Sequence, residues 1–126
     1  MPKQKYMNVG SIPLLFGLWL LKDTTISEIS YYGGVVIKTN TKGSVRLKTI
    51  LNKGTKCVAC GVEGTHFTID RERNGTLFHL NLRTADGTLM TKDHIIPKSK
   101  GGKKSLYNMQ PMCATCNTKK GNKLVV

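Results

Sequence analysis

The chain has 126 residues, with 20 Lys plus Arg against 7 Asp plus Glu, a net charge of +13 and a pI near 9.9. That length holds one domain and a short appendage rather than two cores, and 39% hydrophobic with 6% aromatic residues is thin enough that a covalent or metal staple would help. The longest apolar stretch, residues 9–21, is broken by Gly10, Ser11, Pro13 and Gly17, falls short of the roughly 20 residues of a bilayer span and ends without a small-residue cleavage site, so the expectation is a cytoplasmic chain with no membrane partner.

Taken in chain order, residues 1–22 are apolar and broken by Gly and Pro, and no element is assigned to them. Thr25 and Glu28 have capping-box spacing, which predicts the start of a helical turn, stopped by Gly33-Gly34. Val35-Val36-Ile37 predicts a short strand. Residues 44–52 carry Val45, Leu47, Ile50 and Leu51 at helical spacing and precede Gly54, so a helix is predicted there. Residues 66–70 and 77–82 alternate in polarity around Asn74-Gly75, a hairpin pattern. Ala85-Asp86-Gly87 marks a turn into a strand over residues 88–96, which Pro97 ends. Residues 98–105 form a basic glycine loop, residues 109–112 an extended piece, and residues 114–120 a helix stopped by Gly121. Trp19 is expected in the core, whereas Tyr31 and Tyr32 could stack on bases. His66 and His79 sit in strand patterns and are read as strand residues.

Charge is concentrated at both ends: residues 1–56 sum to +7, residues 57–91 to −1 and residues 92–126 to +7. Two basic zones around a neutral middle point to a polyanion, nucleic acid by default, as partner. All four cysteines fall in two CxxC pairs, Cys57/Cys60 and Cys113/Cys116, separated by 52 residues. Each CxxC offers two soft ligands from one tight turn, and two such turns complete a tetrahedral, closed, structural Zn²⁺ site. Two disulfides would conflict with a cytoplasmic chain, and a redox CxxC would not need a second pair.

The run from Thr91-Lys92-Asp93-His94-Ile95-Ile96-Pro97 through the glycine loop, Asn108-Met109-Gln110-Pro111-Met112-Cys113 and Cys116-Asn117-Thr118-Lys119-Lys120-Gly121 resembles the HNH endonucleases of the ββα-metal (His-Me finger) type, in an H-N-N variant. The resemblance covers residues 57–121. It implies an α+β fold in which a ββα-metal core is stapled by structural zinc. Residues 41–126 would form the nuclease domain, and residues 1–40 a helical or extended N-terminal extension of unknown role. By the same resemblance His94 is the general base, held through one ring nitrogen by a backbone carbonyl, an imidazole being suited to proton transfer near neutral pH. Asp93 and Asn117 would supply oxygen ligands to Mg²⁺ or Mn²⁺, and Asn108 would pin the loop between the strands. Lys98, Lys100, Lys103, Lys104, Lys119 and Lys120 would contact DNA phosphates, which gives affinity without sequence information.

Neighbouring residues on a regular strand point to opposite faces, so Asp93 and His94 can serve one site only if the strand bends or ends there. The expected reaction is hydrolysis of DNA phosphodiester bonds to 5′-phosphate and 3′-hydroxyl ends, by a monomer or homodimer of the small free-standing kind found in phages and mobile elements. The competing expectation is a zinc-ribbon-like nucleic-acid-binding protein with an idle HNH site, acting in packaging or regulation. Any one of His94, Asn117 or the cysteines alone fits an ordinary structural role; their combination is what favours the enzyme.

Overall fold

A computed structural model describes residues 6–23, 28–31, 35–38, 44–72 and 78–125. Among the described residues ten regular elements follow one another: β1 (Tyr6–Pro13), α1 (Leu14–Lys22), β2 (Glu28–Tyr31), β3 (Val35–Lys38), α2 (Val45–Lys53), β4 (Gly64–Glu72), β5 (Phe78–Thr84), β6 (Met90–His94), β7 (Met109–Cys113) and α3 (Ala114–Lys120). Short 3₁₀ turns at Lys98–Lys100 and Leu106–Asn108 interrupt the β6–β7 connection. The result is the expected mixed α+β architecture.

The strands form two sheets. The larger runs β1-β4-β5-β3-β2, and the smaller is the antiparallel ribbon β6-β7. The alternating stretches pair as expected, β4 antiparallel to β5 with Phe67 opposite Leu82 and Ile69 opposite Leu80. All four side chains are completely buried. The Asn74-Gly75 turn lies outside the described residues. Glu28 begins strand β2, not a helical turn, and pairs with Lys38 of β3. Thr25 lies outside the described residues.

The apolar start of the chain becomes β1 and α1, and β1 pairs along its length with β4. Pro13 is both the last strand residue and the N-cap of α1, a position where a missing N–H is harmless. Helix α1 buries Gly17, Leu20 and Leu21. Gly17 is needed for close approach, since a methyl there would overlap the Phe67 ring of β4. Trp19 is not in the core: it is 57% exposed and stacks on Phe16, with ring centroids 5.8 Å apart. Its position turns it outward, while Leu20 and Leu21 fill the space beneath the helix. No helix among the described residues is long and apolar enough to cross a membrane.

Helix α2 forms where the spacing predicts it. The Ser44 hydroxyl accepts from the Leu47 amide at 3.2 Å, and the Gly54 amide donates to the Ile50 carbonyl at 3.0 Å. Leu47 and Ile50 join one core with Leu20, Leu21, Phe67, Ile69, Leu80, Leu82, Met90 and Met112. Cys57, Cys113 and Cys116 belong to that same cluster. At the far end of α2, the Lys53 ammonium donates to the carbonyls of Tyr107 and Met109 and so ties the helix to the start of β7. A small polar network also lies within the large sheet. The buried Asp70 Oδ2 accepts from Thr68 Oγ1 at 2.7 Å, Asn81 Nδ2 at 2.7 Å and the Arg83 guanidinium at 3.1 Å.

The α1–β4 contact makes a prediction with an informative sign. In a helix, Gly→Ala ordinarily stabilises by up to about 1 kcal/mol. Gly17→Ala should instead destabilise by about 1–3 kcal/mol, because the methyl drives α1 off Phe67. Denaturant unfolding of the two proteins measures the difference, and a stabilised variant would show that the helix is not seated on β4.

Candidate active site

The site is assembled on the ribbon β6-β7 and the helix that follows it. Asp93 is opposite Gln110 and His94 opposite Met109 in the antiparallel register. Beyond His94 the strand ends, as Pro97 suggested, and the loop folds back under control of Asn108. Asn108 Oδ1 accepts from the Ile96 amide at 2.9 Å, and Nδ2 donates to the carbonyls of Ile96 at 3.0 Å and Lys103 at 2.9 Å. The Ile95 amide donates to the Asn108 carbonyl at 2.8 Å. One side chain therefore closes both ends of the basic loop. Gly102 lies so close beneath Ile96 that a Cβ would overlap the Ile96 carbonyl, so the loop can close in this form only with glycine there.

Cys113 is the N-cap of helix α3, and its sulfur accepts from the Cys116 amide at 3.5 Å. Asn117, one turn in, donates through Nδ2 to Thr91 Oγ1 at 2.8 Å and to the Lys92 carbonyl at 3.0 Å. Thr91 Oγ1 in turn donates to the Met112 carbonyl at 2.7 Å. With its nitrogen committed to the strand, the Asn117 amide keeps its carbonyl oxygen available. Lys120 donates to Asp93 Oδ2 at 2.9 Å and to the His94 carbonyl at 2.8 Å. Gln110 Nε2 donates to the same carboxylate oxygen at 3.0 Å.

These residues enclose a polar cavity of about 220 Å³ lined by Lys92, Asp93, His94, Pro97, Lys98, Asn117, Lys120, Gly121 and Asn122. Asp93, His94 and Asn117 thus share one cavity, and Asn108 stands behind it in the loop. His94 Nε2 is buried with no hydrogen-bond partner among the described residues. Burial holds the His94 imidazole below its ordinary pKa, and Lys92, Lys98 and Lys120 add to that effect while Asp93 opposes it. A neutral ring is therefore favoured. The oxygen donors of one carboxylate, Asp93, and one amide, Asn117, in a polar cavity, fit a hard divalent cation.

Lys98, Lys100, Lys103, Lys104 and Lys119 are exposed, as phosphate contacts require. Lys120 differs: its side chain is 1% exposed and engaged with Asp93. Position 120 falls on the inner face of α3, three residues after Asn117, and that inward placement removes it from the basic surface. Lys92 lines the cavity although no role was expected of it. Burial lowers its pKa, and the nearby charges of Lys104, Lys98 and Arg46 lower it further. The period-2 rule could have found it, since residues 92 and 94 share a strand face.

The cysteines meet on the other side of β7. All four sulfurs lie within 4.8 Å of one another, and the Cys60 and Cys113 sulfurs are 3.9 Å apart. Ligands about 2.3 Å from a tetrahedral zinc would have sulfurs about 3.8 Å apart. Burial alone would raise the Cys57 thiol, but amide donors from Cys113, Cys60 and Ala59 bring it down to about 6. Cys116 is pushed up to about 12, first by its hydrogen bond to Cys113 and then by burial. The Cys57 sulfur thus favours the thiolate, while the raised Cys113 and Cys116 thiols hold protons that a bound metal would displace. The four cysteines could hold a metal such as zinc.

A family model described as HNH endonuclease matches residues 57–123, just over half of the chain. The chain belongs to the HNH endonuclease family, and with it to a class of nucleases that act on nucleic acids with divalent metals. Comparison with curated proteins and with solved structures gave no match.

Asn108 offers a direct test of the loop. Asn108→Ala leaves the Ile96 amide and two carbonyls without their partner, and should lower stability by about 1–3 kcal/mol in thermal unfolding. A variant as stable as the parent would show that the loop closes without this side chain.

Proposed function

We propose that this chain is a metal-dependent DNA endonuclease that hydrolyses phosphodiester bonds at the cavity between β6 and α3. The observation that carries this reading is the convergence of Asp93, His94 and Asn117 on one polar cavity with exposed lysines beside it, in the region matched by the HNH family. Asp93 and the Asn117 carbonyl oxygen would hold Mg²⁺ or Mn²⁺. When bound, such an ion neutralises charge on the scissile phosphate and on the leaving 3′ oxygen.

The chain's own residues do the rest. His94, kept neutral by burial and by the surrounding lysines, takes a proton from the attacking water. Lys98, Lys100, Lys103, Lys104 and Lys119 bind the phosphate backbone and hold the duplex in register. Attack at phosphorus with departure of the 3′ oxygen leaves 5′-phosphate and 3′-hydroxyl ends. Cys57, Cys60, Cys113 and Cys116 form a separate, closed zinc site with a structural role. One site cuts one strand, so a double-strand break needs a homodimer or two visits.

A second reading, a nucleic-acid binder with an idle site, is favoured by the Asp93 carboxylate already being paired with Lys120. Plasmid nicking with Mg²⁺, Mn²⁺ or a chelator, run beside a gel shift on the same preparations, separates the two. The nuclease reading expects metal-dependent nicking that falls about 10²- to 10⁴-fold in His94→Ala, with DNA affinity and fold retained. Binding of equal strength without nicking, or a His94→Ala variant that cuts at the parent rate, would establish the binder instead.

A further inference from the structure

Strand alternation places residues 92 and 94 on one face and residue 93 on the other, yet Asp93 and His94 both line the cavity. One side chain bridges them. Lys120 is buried, and its ammonium gives one hydrogen bond to Asp93 Oδ2 at 2.9 Å and another to the carbonyl of His94 at 2.8 Å. Two of its three donors are thus spent on consecutive residues of β6. Gln110 reaches the same Asp93 oxygen from β7 at 3.0 Å. Oδ2 is therefore held from α3 on one side and from β7 on the other, and the carboxylate cannot rotate without breaking two charge-assisted bonds. Lys120 also follows Asn117 by three residues on α3, so one short helix supplies both a cavity-lining amide and the fixed orientation of the cavity's carboxylate.

A phosphate contact needs an exposed ammonium, and Lys119 next door has one. A methionine of similar length would fill the space that Lys120 occupies. What the ammonium adds is the two-point hold on the Asp93–His94 corner.

We propose that Lys120 is a positioning residue: by fixing the Asp93 carboxylate and the His94 main chain it sets the divalent-cation affinity and the turnover of the site. This rests on the nuclease reading above. Residues that orient metal ligands from behind commonly change metal affinity or activity about 10- to 100-fold when lost.

The test compares the full-length, zinc-loaded parent with Lys120→Met and Lys120→Arg. Mn²⁺ binding is followed by electron paramagnetic resonance, plasmid nicking at saturating Mn²⁺ gives turnover, and gel shifts without divalent metal over a salt series give DNA affinity. Lys120→Met should weaken Mn²⁺ binding and slow nicking, each by about 10- to 100-fold, with DNA affinity and its salt slope unchanged. Lys120→Arg, which keeps a cation with several donors, should recover part of both losses. Parent-like Mn²⁺ binding and nicking in Lys120→Met would overturn the proposal. So would weakened DNA binding with a shallower salt slope, the mark of a phosphate contact. If Lys120→Met does not fold, Lys120→Gln, which keeps a donor without charge, takes its place under the same criteria.

A parent that neither nicks nor binds Mn²⁺ would defeat the nuclease reading and the positioning role with it, whereas a parent that does both beside a parent-like Lys120→Met defeats the positioning role alone.

Discussion

Four sulfurs within 4.8 Å of one another form the constraint on which the rest of the structure depends. Cys57 and Cys60 lie between α2 and β4, and Cys113 and Cys116 span the junction of β7 and α3. Joining them brings the end of the small ribbon against the start of the large sheet. Backbone bonds run the same way, with the Val58 amide donating to the Pro111 carbonyl at 3.0 Å and the Cys57 amide to the Val62 carbonyl at 2.9 Å. Because Cys113 also caps α3, the cluster fixes where that helix begins, and therefore where Asn117 and Lys120 fall. The helix has only two turns and would be marginal without such an anchor. Three of the four cysteines belong to the same cluster as Leu20, Ile50, Phe67 and Leu82, so a metal there would add to a small core instead of standing apart from it.

The electrostatics of the cavity follow from this placement. A chain of net charge +13 surrounds its one buried cavity carboxylate, Asp93, with Lys120 at bonding distance and with Lys92 and Lys98 along the wall. Lys98, which would draw a phosphate backbone toward the cavity, also disfavours a charged His94. Substrate attraction and a neutral imidazole therefore share a cause in Lys98, and a change to that lysine should alter both.

Much of the site was legible in the sequence because short-range rules governed it. Helix α2 obeyed its Ser44 and Gly54 boundaries, β4 and β5 paired antiparallel as their pattern required, and α3 kept its Gly121 stop. The two CxxC pairs carried enough chemistry to foresee their meeting across 52 intervening residues. What escaped depended on partners distant in the chain. Residues 6–22 gave no periodic signal because Pro13 switches strand to helix in mid-run, and Gly17 is explained only by Phe67 fifty residues later. Trp19 was expected inside on composition, but the register of α1 turns it out. Lys120 read as one more member of a basic run, and only the packing of α3 across β6 shows it buried against Asp93.

The most direct test of this account follows metal content and folding in one experiment, using native mass spectrometry and thermal unfolding as a chelator is titrated into the purified chain. The account predicts one Zn²⁺ per chain, with the cooperative unfolding transition lost or shifted to much lower temperature in step with metal release. A chain with four free thiols and no metal that unfolds cooperatively at the same temperature as the untreated protein would contradict it.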